Sequence, residues 1–407
     1  MSESRRKLIF FWPYVEWGGA QIYVLAIVKE ALPNWNVTVV LPRASSAELI
    51  GFIEQAGAQI EFLDFQADLA EAQTIRRKLQ RHVRRVTVEI ASFRYLLRHR
   101  LRDSILHIDF PPWQSWIFFA ALSLRGANVF MTMHNALPNK PAWRVPIWKM
   151  RLQFVSRLRG FHILTSNKDT KDRLRGWVES KFWENIKVTY TCVNPPEIQR
   201  VLTSSFSKNE VREKHGIGAS SFVVLCVGQF VDRKGRWVFL EAAKIVAADH
   251  RDVEFVWLAP KLPSEIEQAR IDSYNLDARF RIVLSESVGS THEDVLRFFR
   301  IADTFALPSF VEGLPIALLE AMALEVPSIS TNVYAIPEAC KHMETGIIID
   351  AGDARTLADA VVQLKLDAQL RARLAKHGSS FVLANFDERV ASSIALAAYE
   401  GCFQDGG

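Results

Sequence analysis

The sequence predicts an α/β protein built from two Rossmann-like domains. Short runs of β-branched and aromatic residues alternate with amphipathic helical segments in both halves of the chain, a pattern typical of parallel sheets covered by helices. The 407 residues exceed what one ordinary hydrophobic core accommodates. The polar stretch 194–207 contains Pro195 and Pro196 and interrupts the alternation. We therefore predict a linker there, with a first domain over 1–195 and a second over 196–387.

Strand candidates are short, apolar and bounded by polar or glycine-containing segments. Helical patterns fall between them, for example Ala20–Leu32, Trp237–Ala248 and Thr356–Leu364. In parallel sheets of this kind, ligands bind at the carboxyl ends of the strands. The predicted strands are Lys7–Trp12, Asn36–Leu41, Gln59–Leu63, Ser104–Ile108, Ala127–Met133, Phe161–Thr165, Lys187–Cys192, Phe222–Val227, Val253–Leu258, Phe280–Leu284, Thr304–Leu307, Ser328–Ser330 and Gly346–Ile349.

Charge differs between the two halves. Residues 1–196 hold 28 Lys or Arg and 16 Asp or Glu, a net charge of +12, whereas the remainder has 22 and 29, a net charge of −7. Nine of the eleven tryptophans also lie in the first half, so we expect the halves to meet different partners. The four cysteines show no metal-binding spacing, and a reducing cytosol fits them. We find no signal peptide and no span long enough for a bilayer, which predicts a soluble or peripheral protein.

The segment from Ala306 to Ala323 carries two acids, Glu312 and Glu320. An apolar strand ends before it, Glu312 lies in a short loop with Gly313, and a helix starts at Pro315. The free N–H groups at that helix start can face a diphosphate. Glu312 could then meet a sugar, and Glu320, about 7.5 Å along the helix, could accept hydrogen bonds from a ribose. The plainer interpretation is a buried strand, loop and helix with two chance acids.

Several motifs together resemble the retaining GT-B glycosyltransferases, family 4 in particular. The double-glutamate segment resembles the family's Glu-x7-Glu signature, and Trp17–Gln21, with Gly18 and Gly19, looks like its first glycine loop. Met131–Asn135, with His134, looks like its Thr-x-His segment. Phe222–Gly235 is similar to its "strand, Gly-Arg, Lys-Gly" element, and Val326–Ser330, Pro337-Glu338 and Thr345–Ile349 continue the pattern. The resemblance is strong over residues 222–362 and weaker over 7–200.

The resemblance implies a GT-B architecture, in which two Rossmann-like domains face each other across a cleft. The helix 388–403 would return to the first, acceptor-binding domain, and the second would bind the nucleotide sugar. Glu312 would contact the donor sugar, Glu320 the ribose, and His134 the reacting centre. Arg233 and Lys234, in the loop after Gly228, would stabilise the departing diphosphate. The binding residues would be Gly18, Gly19, Gly228, Gly313, Leu314, Ile316 and Glu320.

The sequence departs from the family pattern at two positions. Gln229 stands where relatives commonly carry arginine, and it brings no charge. Pro315 stands where some relatives have glycine, so backbone contacts must come from Gly313, Leu314 and Ile316. There is also no Asp-x-Asp motif. We therefore expect no cofactor and no metal, with basic residues and helix amides acting on a UDP- or GDP-linked donor.

Residues 72–102 are strongly basic, with ten Lys or Arg and one acid, Glu89. Apolar residues recur between them at helical spacing, from Ile75 through Leu79 and Val83 to Leu97. A basic amphipathic helix can lie on an anionic membrane. A helix that faces the core and exposes a basic side is the alternative. Nucleic acid is a third possibility, but no RNA- or DNA-binding signature supports it.

Taken together, the sequence predicts a retaining glycosyltransferase that moves a hexose-type sugar from a nucleoside diphosphate sugar to an acceptor hydroxyl. The basic, Trp-rich first half favours a lipid-linked or anionic glycan acceptor, as in envelope polysaccharide synthesis, at the cytoplasmic face of a membrane. Two alternatives remain. A nucleotide-sugar epimerase of the same fold would convert the donor without an acceptor, and a sugar-binding module would bind without turnover.

Overall fold

The computed structural model describes residues 5–12, 19–64, 74–135 and 142–404. The chain forms two compact units, the first made of residues 1–190 and 389–407 and the second of residues 191–388. Near the start of the second unit, Val193 pairs with Asp387. The predicted linker also contains a helix. Asn194 caps it and Pro195 occupies its first turn, where proline starts a helix as readily as it ends one.

The first unit contains one parallel sheet in the order β3-β2-β1-β4-β5-β6-β7. The strands are β1 Lys7–Phe11, β2 Asn36–Pro42, β3 Gln59–Leu63, β4 Ser104–Ile108, β5 Asn128–Met133, β6 Phe161–Thr165 and β7 Lys187–Val188. The helices are α1 Gly19–Ala31, α2 Ala47–Ala56, α3 Ile75–Leu96, α4 Trp116–Leu124, α5 Arg144–Ser156, α6 Lys168–Arg173 and α7 Ser180–Asn185, and the unit is completed by α18 Glu388–Gln404.

Both faces of the sheet are buried at its centre. Along β1, Ile9 and Phe11 belong to one apolar cluster, whereas Leu8 and Phe10 belong to the other, as the alternation of side chains along a strand requires. The second cluster includes Tyr399 of α18. The hydroxyl of Tyr399 lies 2.6 Å from Nδ1 of His107 on β4, so α18 is part of the core of the first unit.

The second unit contains a parallel sheet in the order β10-β9-β8-β11-β12-β13. Its strands are β8 Phe222–Val227, β9 Val253–Ala259, β10 Phe280–Leu284, β11 Thr304–Leu307, β12 Ser328–Thr331 and β13 Ile347–Ile349. Its helices are α8 Pro195–Thr203, α9 Lys208–Lys214, α10 Arg236–Asp249, α11 Glu265–Asp272, α12 Ser285–Val288, α13 His292–Phe299, α14 Ile316–Ala323, α15 Ile336–Ala339, α16 Ala354–Leu366 and α17 Ala368–Asn385. The predicted class, α/β with two Rossmann-like parallel sheets, is confirmed.

Candidate functional site

The strand order of the second unit determines where a ligand site can form. β8 and β11 are neighbours at the centre of the sheet, and the chain continues from them toward opposite edges. Such a switch point leaves a crevice at the carboxyl ends of the two strands. The loop 228–235 follows β8 and the loop 308–315 follows β11. Most of the residues predicted for the site in this half of the chain lie in these two loops.

Three predicted residues meet where the two loops converge. Lys234 Nζ lies 2.7 Å from Glu312 Oε1, and Arg233 lies 3.7 Å from Glu312 Oε2. The Glu312 side chain is 7% exposed, the Lys234 side chain 11% and the Arg233 side chain 50%. Ser309, which the sequence reasoning did not single out, donates a 2.9 Å hydrogen bond to Glu312. Glu312 is therefore held on one side by a largely buried lysine and a serine, while the arginine stays accessible.

Gly235 allows the two loops to approach each other. Its φ is +75°, and a Cβ at this position would lie 1.9 Å from the backbone oxygen of Pro308. Glycine is the residue that tolerates both conditions. The N–H of Phe310 also donates to the backbone oxygen of Arg233 at 2.8 Å. The contact of Lys234 with Glu312 thus rests on a backbone junction that a side chain at 235 would disrupt.

The start of α14 offers backbone donors beside Glu312. Pro315 occupies the cap position, with ψ of 121°, and its oxygen accepts from the N–H groups of Leu318 and Leu319. Helix starts leave several N–H groups without partners inside the helix. In the described part of the chain, the N–H groups of Gly313, Leu314 and Ile316 have no hydrogen-bond acceptor. These amides and the helix dipole can bind an anion.

Glu320 lies on α14 and is held by a histidine that the sequence reasoning did not identify. His292, the first residue of α13, has Nε2 at 2.8 Å from Glu320 Oε1 and Nδ1 at 3.2 Å from Glu197 Oε2 on α8. Burial opposes protonation of His292, but the two carboxylates raise its pKa to about 10. The imidazole is therefore positively charged at neutral pH. No short motif connects the three residues, because each lies on a different helix.

In the first unit, the predicted residues fall at the ends of β1 and β5. Gly18 lies outside the described residues, and Gly19 is the first residue of α1. His134 follows β5, and its ring packs edge-on against Tyr23 at 5.1 Å. The Nε2 atom of His134 is buried and has no hydrogen-bond partner among the described residues.

His134 borders a small cavity of about 10 Å³ at the carboxyl ends of β1 and β4, room for about one water molecule. His107 and Asp109 also line the cavity. Burial lowers the pKa of His134, although Asp109 acts in the opposite direction. The imidazole is therefore neutral, and a buried ring nitrogen is available at this cavity for a hydrogen bond.

Among the described residues, no group of three or more His, Cys, Asp or Glu side chains is arranged to hold a metal ion. None of the helices in the described ranges has the length and apolar character needed to cross a membrane.

Part of the chain is similar to a known family. Residues 207–381 match the family described as "Glycosyl transferases group 1". The chain is 29% identical over 194 residues to the D-inositol 3-phosphate glycosyltransferase of Paenarthrobacter aurescens, covering 46% of this chain and 47% of the relative. It is 28% identical over 183 residues to the capsular polysaccharide biosynthesis glycosyltransferase CapM of Staphylococcus aureus, covering 45% and 47%. The alignments thus span about half the length of these curated relatives.

The similarity of fold extends over nearly the whole chain. The crystal structure of Anabaena Alr3699/HepE in complex with UDP and glucose matches with a TM-score of 0.75 and 16% identity, covering 98% of this chain and 100% of that one. The protein therefore has the fold of the GT-B glycosyltransferases.

Proposed function

We propose that this protein is a retaining glycosyltransferase that uses a nucleoside diphosphate sugar, linked to UDP or GDP, as its donor. The observation that carries the proposal is the convergence of Lys234, Arg233 and Glu312 beside the start of α14. Two cations and a set of free amides suit a diphosphate. A carboxylate held at the same place suits the hydroxyl groups of a sugar.

Each group has a part in the proposed reaction. The bond between the anomeric carbon and the diphosphate oxygen breaks, and its electron pair leaves with the nucleoside diphosphate. The acceptor oxygen bonds to the anomeric carbon on the same face and passes its proton to the departing diphosphate oxygen. Arg233, Lys234 and the amides of Gly313, Leu314 and Ile316 stabilise the negative charge on the departing diphosphate. Glu312 orients the donor sugar, Glu320 accepts hydrogen bonds from the ribose, and His134 offers its buried nitrogen to the reacting centre.

The family match and the names of the relatives support a transferase over the two alternatives. Both curated relatives described above are glycosyltransferases, and one acts in capsular polysaccharide biosynthesis. We propose the same general role, with a lipid-linked or anionic glycan as the acceptor. The second unit would bind the donor, and the basic first unit would bind the acceptor.

A thermal-shift screen with UDP-, GDP- and ADP-sugars identifies the donor, because a ligand that binds the native state raises its melting temperature. The stabilising sugar is then incubated with the protein, with and without membrane lipid extract. A transferase should release free nucleoside diphosphate and form a glycosylated lipid or glycan. A retaining transferase should give a product in which NMR detects the same anomeric configuration as in the donor. An altered donor sugar without acceptor indicates an epimerase, and stabilisation without any conversion indicates a binding module.

We also propose that the reaction needs no divalent metal, since basic side chains and helix amides stand where the diphosphate would bind. Turnover measured after treatment with EDTA should remain within about twofold of the untreated rate, as charge stabilisation by fixed donors predicts. Loss of turnover that Mg²⁺ or Mn²⁺ restores contradicts this part of the proposal.

The basic helix α3 of the first unit exposes apolar side chains. On α3, a stripe of apolar side chains faces solvent instead of the core, with Leu79 63% exposed and Val83, Val86 and Ile90 also exposed. The one acid of the segment 72–102, Glu89, points inward and accepts a 2.7 Å hydrogen bond from Ser115. Glu89 also pairs with Arg85 at 3.5 Å. The outer surface of α3 therefore combines exposed apolar residues with basic residues, and Glu89 is the one acid of this helix.

The neighbouring helices α4 and α5 also carry exposed apolar residues. α3 packs on α4 and α4 packs on α5, with Trp116 and Phe154 in edge-on contact at 5.6 Å. Further exposed apolar residues on or next to α4 and α5 are Ile117, Leu124, Trp143, Ile147, Met150 and Phe154. We propose that this three-helix face docks the protein on an anionic lipid surface, where each basic residue adds about 1 kcal/mol and salt weakens the attraction.

Sedimentation with vesicles tests the docking face. Binding to phosphatidylglycerol vesicles should exceed binding to phosphatidylcholine vesicles and should fall with added salt. The double variant Leu79→Gln/Val83→Gln should bind more weakly. The matched control Leu262→Gln/Ile266→Gln, at exposed apolar positions of the second unit, should bind as the wild type does. Equal, salt-independent binding to both vesicle types contradicts the proposal.

A further inference from the structure

The contact between His292 and Glu320 joins the proposed ribose carboxylate to a second acid on another helix. Nε2 of His292 lies 2.8 Å from Glu320, and Nδ1 lies 3.2 Å from Glu197. The side chains of Glu320, Glu197 and His292 are 8%, 18% and 22% exposed. We call these three residues the carboxylate clamp.

The geometry of the clamp sets the state of the histidine. An ionised carboxylate only accepts hydrogen bonds, so an imidazole that bonds to two of them must carry a proton on both nitrogens. The raised pKa of His292 agrees with this state. A single positive charge thus balances two largely buried negative charges, which would otherwise be costly to keep in place.

The helices α8 and α13, which carry Glu197 and His292, are held in place by contacts that involve no ligand. Thr291 and Asp294 form a capping box at the start of α13, which fixes the backbone at His292. Arg300 of the loop after α13 donates to the backbone oxygen of Val201 on α8 at 2.6 Å, and Asn194 caps α8 beside Glu197. α8 and α13 therefore form a rigid support, from which His292 reaches Glu320 on α14.

We propose that His292 is a positioning residue for nucleotide recognition, which holds one oxygen of Glu320 so that the other is ready to accept hydrogen bonds from the ribose. This inference rests on the proposed function, in which Glu320 binds the ribose. His292 occupies Oε1 of Glu320, and Oε2 has no hydrogen-bond partner among the described residues. Glu197 keeps the imidazole charged and correctly turned. Because the carboxylate is preorganised, little conformational entropy is lost in ordering it when the nucleotide binds.

Calorimetric titration with UDP and with GDP tests the role of His292. For the nucleotide that binds more tightly, His292→Ala should weaken affinity about tenfold to a hundredfold, the scale of one charge-assisted hydrogen bond. His292→Gln keeps an N–H donor without the charge, so it should recover part of the lost nucleotide affinity. This variant also provides the test if His292→Ala folds poorly. Turnover at saturating donor should stay within about twofold, so that the change appears in KM. A loss in kcat with unchanged KM overturns the proposal.

Two further measurements separate positioning from a general structural role. In a double-mutant cycle, His292→Ala should add almost nothing once Glu320→Ala is present, because the histidine acts through that carboxylate. The effect of His292→Ala should also disappear for the 2′,3′-dideoxy form of the nucleotide, which has no ribose hydroxyls to bind. Additive losses, or an equal loss with the dideoxy nucleotide, overturn the inference.

A control variant on α13 and the results for Glu320→Ala separate the role of His292 from the assignment of Glu320 to the ribose. Glu293→Gln changes the neighbouring charge on α13, where Glu293 pairs with Arg297 at 2.6 Å, and it should leave nucleotide affinity unchanged. If Glu320→Ala does not weaken nucleotide binding, the ribose assignment of the proposed function fails together with the inference. If Glu320→Ala weakens binding and neither His292 variant does, the role of His292 alone is overturned.

Discussion

At the scale of single residues, the proposed donor site depends on a balance of charge around Glu312. The lysine is largely buried against this acid, and the arginine is half exposed. The two cations therefore have different tasks in the resting protein. Lys234 compensates the carboxylate, and Arg233 can turn toward a phosphate without breaking a short contact.

We expect Arg233→Ala and Lys234→Ala each to lower turnover about tenfold to a thousandfold, the scale for losing one charge donor to the transition state. Gln229 brings no charge to this loop, so Arg233 has to provide the planar group that fits phosphate oxygens. Initial rates at saturating donor measure this effect, with the exposed Arg251→Ala as control. Gln229→Arg should restore the Arg233 variant only in part. If Arg233→Ala keeps near-normal turnover while Lys234→Ala loses turnover, Arg233 plays no part in the reaction.

Variants of Glu312 should lose transfer, but the two obvious substitutions should differ in stability. The loop position alone predicts that the fold tolerates Glu312→Ala. The structure adds that Glu312 is buried against Lys234, and removing one partner of a buried pair costs about 3–5 kcal/mol. Glu312→Gln keeps the shape and a hydrogen-bond acceptor, so we expect it to be inactive but better folded. Thermal melts beside activity assays measure both effects, and activity within a few-fold of wild type would remove Glu312 from the site.

At the scale of elements, the two loops at the switch point behave as one structure because they touch at Gly235. We expect Gly235→Ala to destabilise the protein by about 1–3 kcal/mol, the range for a strained backbone position, and to abolish transfer. The same change at Gly51 in α2 is the control, because a Cβ there meets nothing within 4 Å. Alanine in a helix should stabilise by about 0.5–1 kcal/mol. Chemical denaturation compares the two, and an active, fully stable Gly235→Ala would contradict the loop contact.

The carboxylate clamp predicts a pH dependence of stability. The pKa of His292 rises from 6.5 to about 10 on folding, so the stabilising effect of its proton is complete below pH 6.5 and disappears as the pH approaches 10. Charged neighbours on the packed elements are Glu197 on α8, Glu320 on α14, and Glu293, which faces Arg200 at 3.5 Å. The stability difference between wild type and His292→Gln should therefore shrink between pH 6.5 and 10. A difference that stays constant across this range would contradict the charged state.

The sequence predicted the elements better than it predicted the contacts between them. All thirteen strands of the described residues were predicted, because most of them are compact apolar runs between polar segments. The largest difference is β7, predicted over Lys187–Cys192 but ending at Val188. Tyr190 has a φ of +36°, and the chain then turns to pair Val193 with Asp387. Apolar character alone does not reveal such a turn.

The same limit applies to the candidate site. The motif residues Lys234 and Glu312 could be predicted to lie together, because parallel strands bring their following loops to one edge of the sheet. The partners of Glu320 could not be predicted. His292 is 28 residues from Glu320 and 95 from Glu197, and the contact depends on how α8 packs on α13. The helix over 195–203 was missed for a local reason, since Asn194 and the two prolines also form a helix start.

At the scale of the whole molecule, the first unit is made of two separate parts of the chain. Tyr399 is fully buried in it, bonded to His107 and packed edge-on against Phe130 at 4.7 Å. We expect Tyr399→Ala to destabilise this unit by about 3–5 kcal/mol, as for other large aromatic side chains. Hydrogen exchange should report faster opening of β1, β4 and β5 and unchanged protection in β8 and β9. Glu400→Ala, exposed on the same helix, is the control, and equal loosening of both units would contradict the assignment of α18.

The ribosome delivers α18 last among the helices of the described residues, although the unit that needs it was begun first. The second unit is one continuous stretch from 191 to 388, so its core can close as soon as that stretch has emerged. The core of the first unit, in contrast, keeps an exposed apolar face until Tyr399 has been synthesised. Domains in general fold in the order of synthesis. In this protein we expect the order to be reversed, with the amino-terminal unit the last to finish and the one most dependent on chaperones during translation.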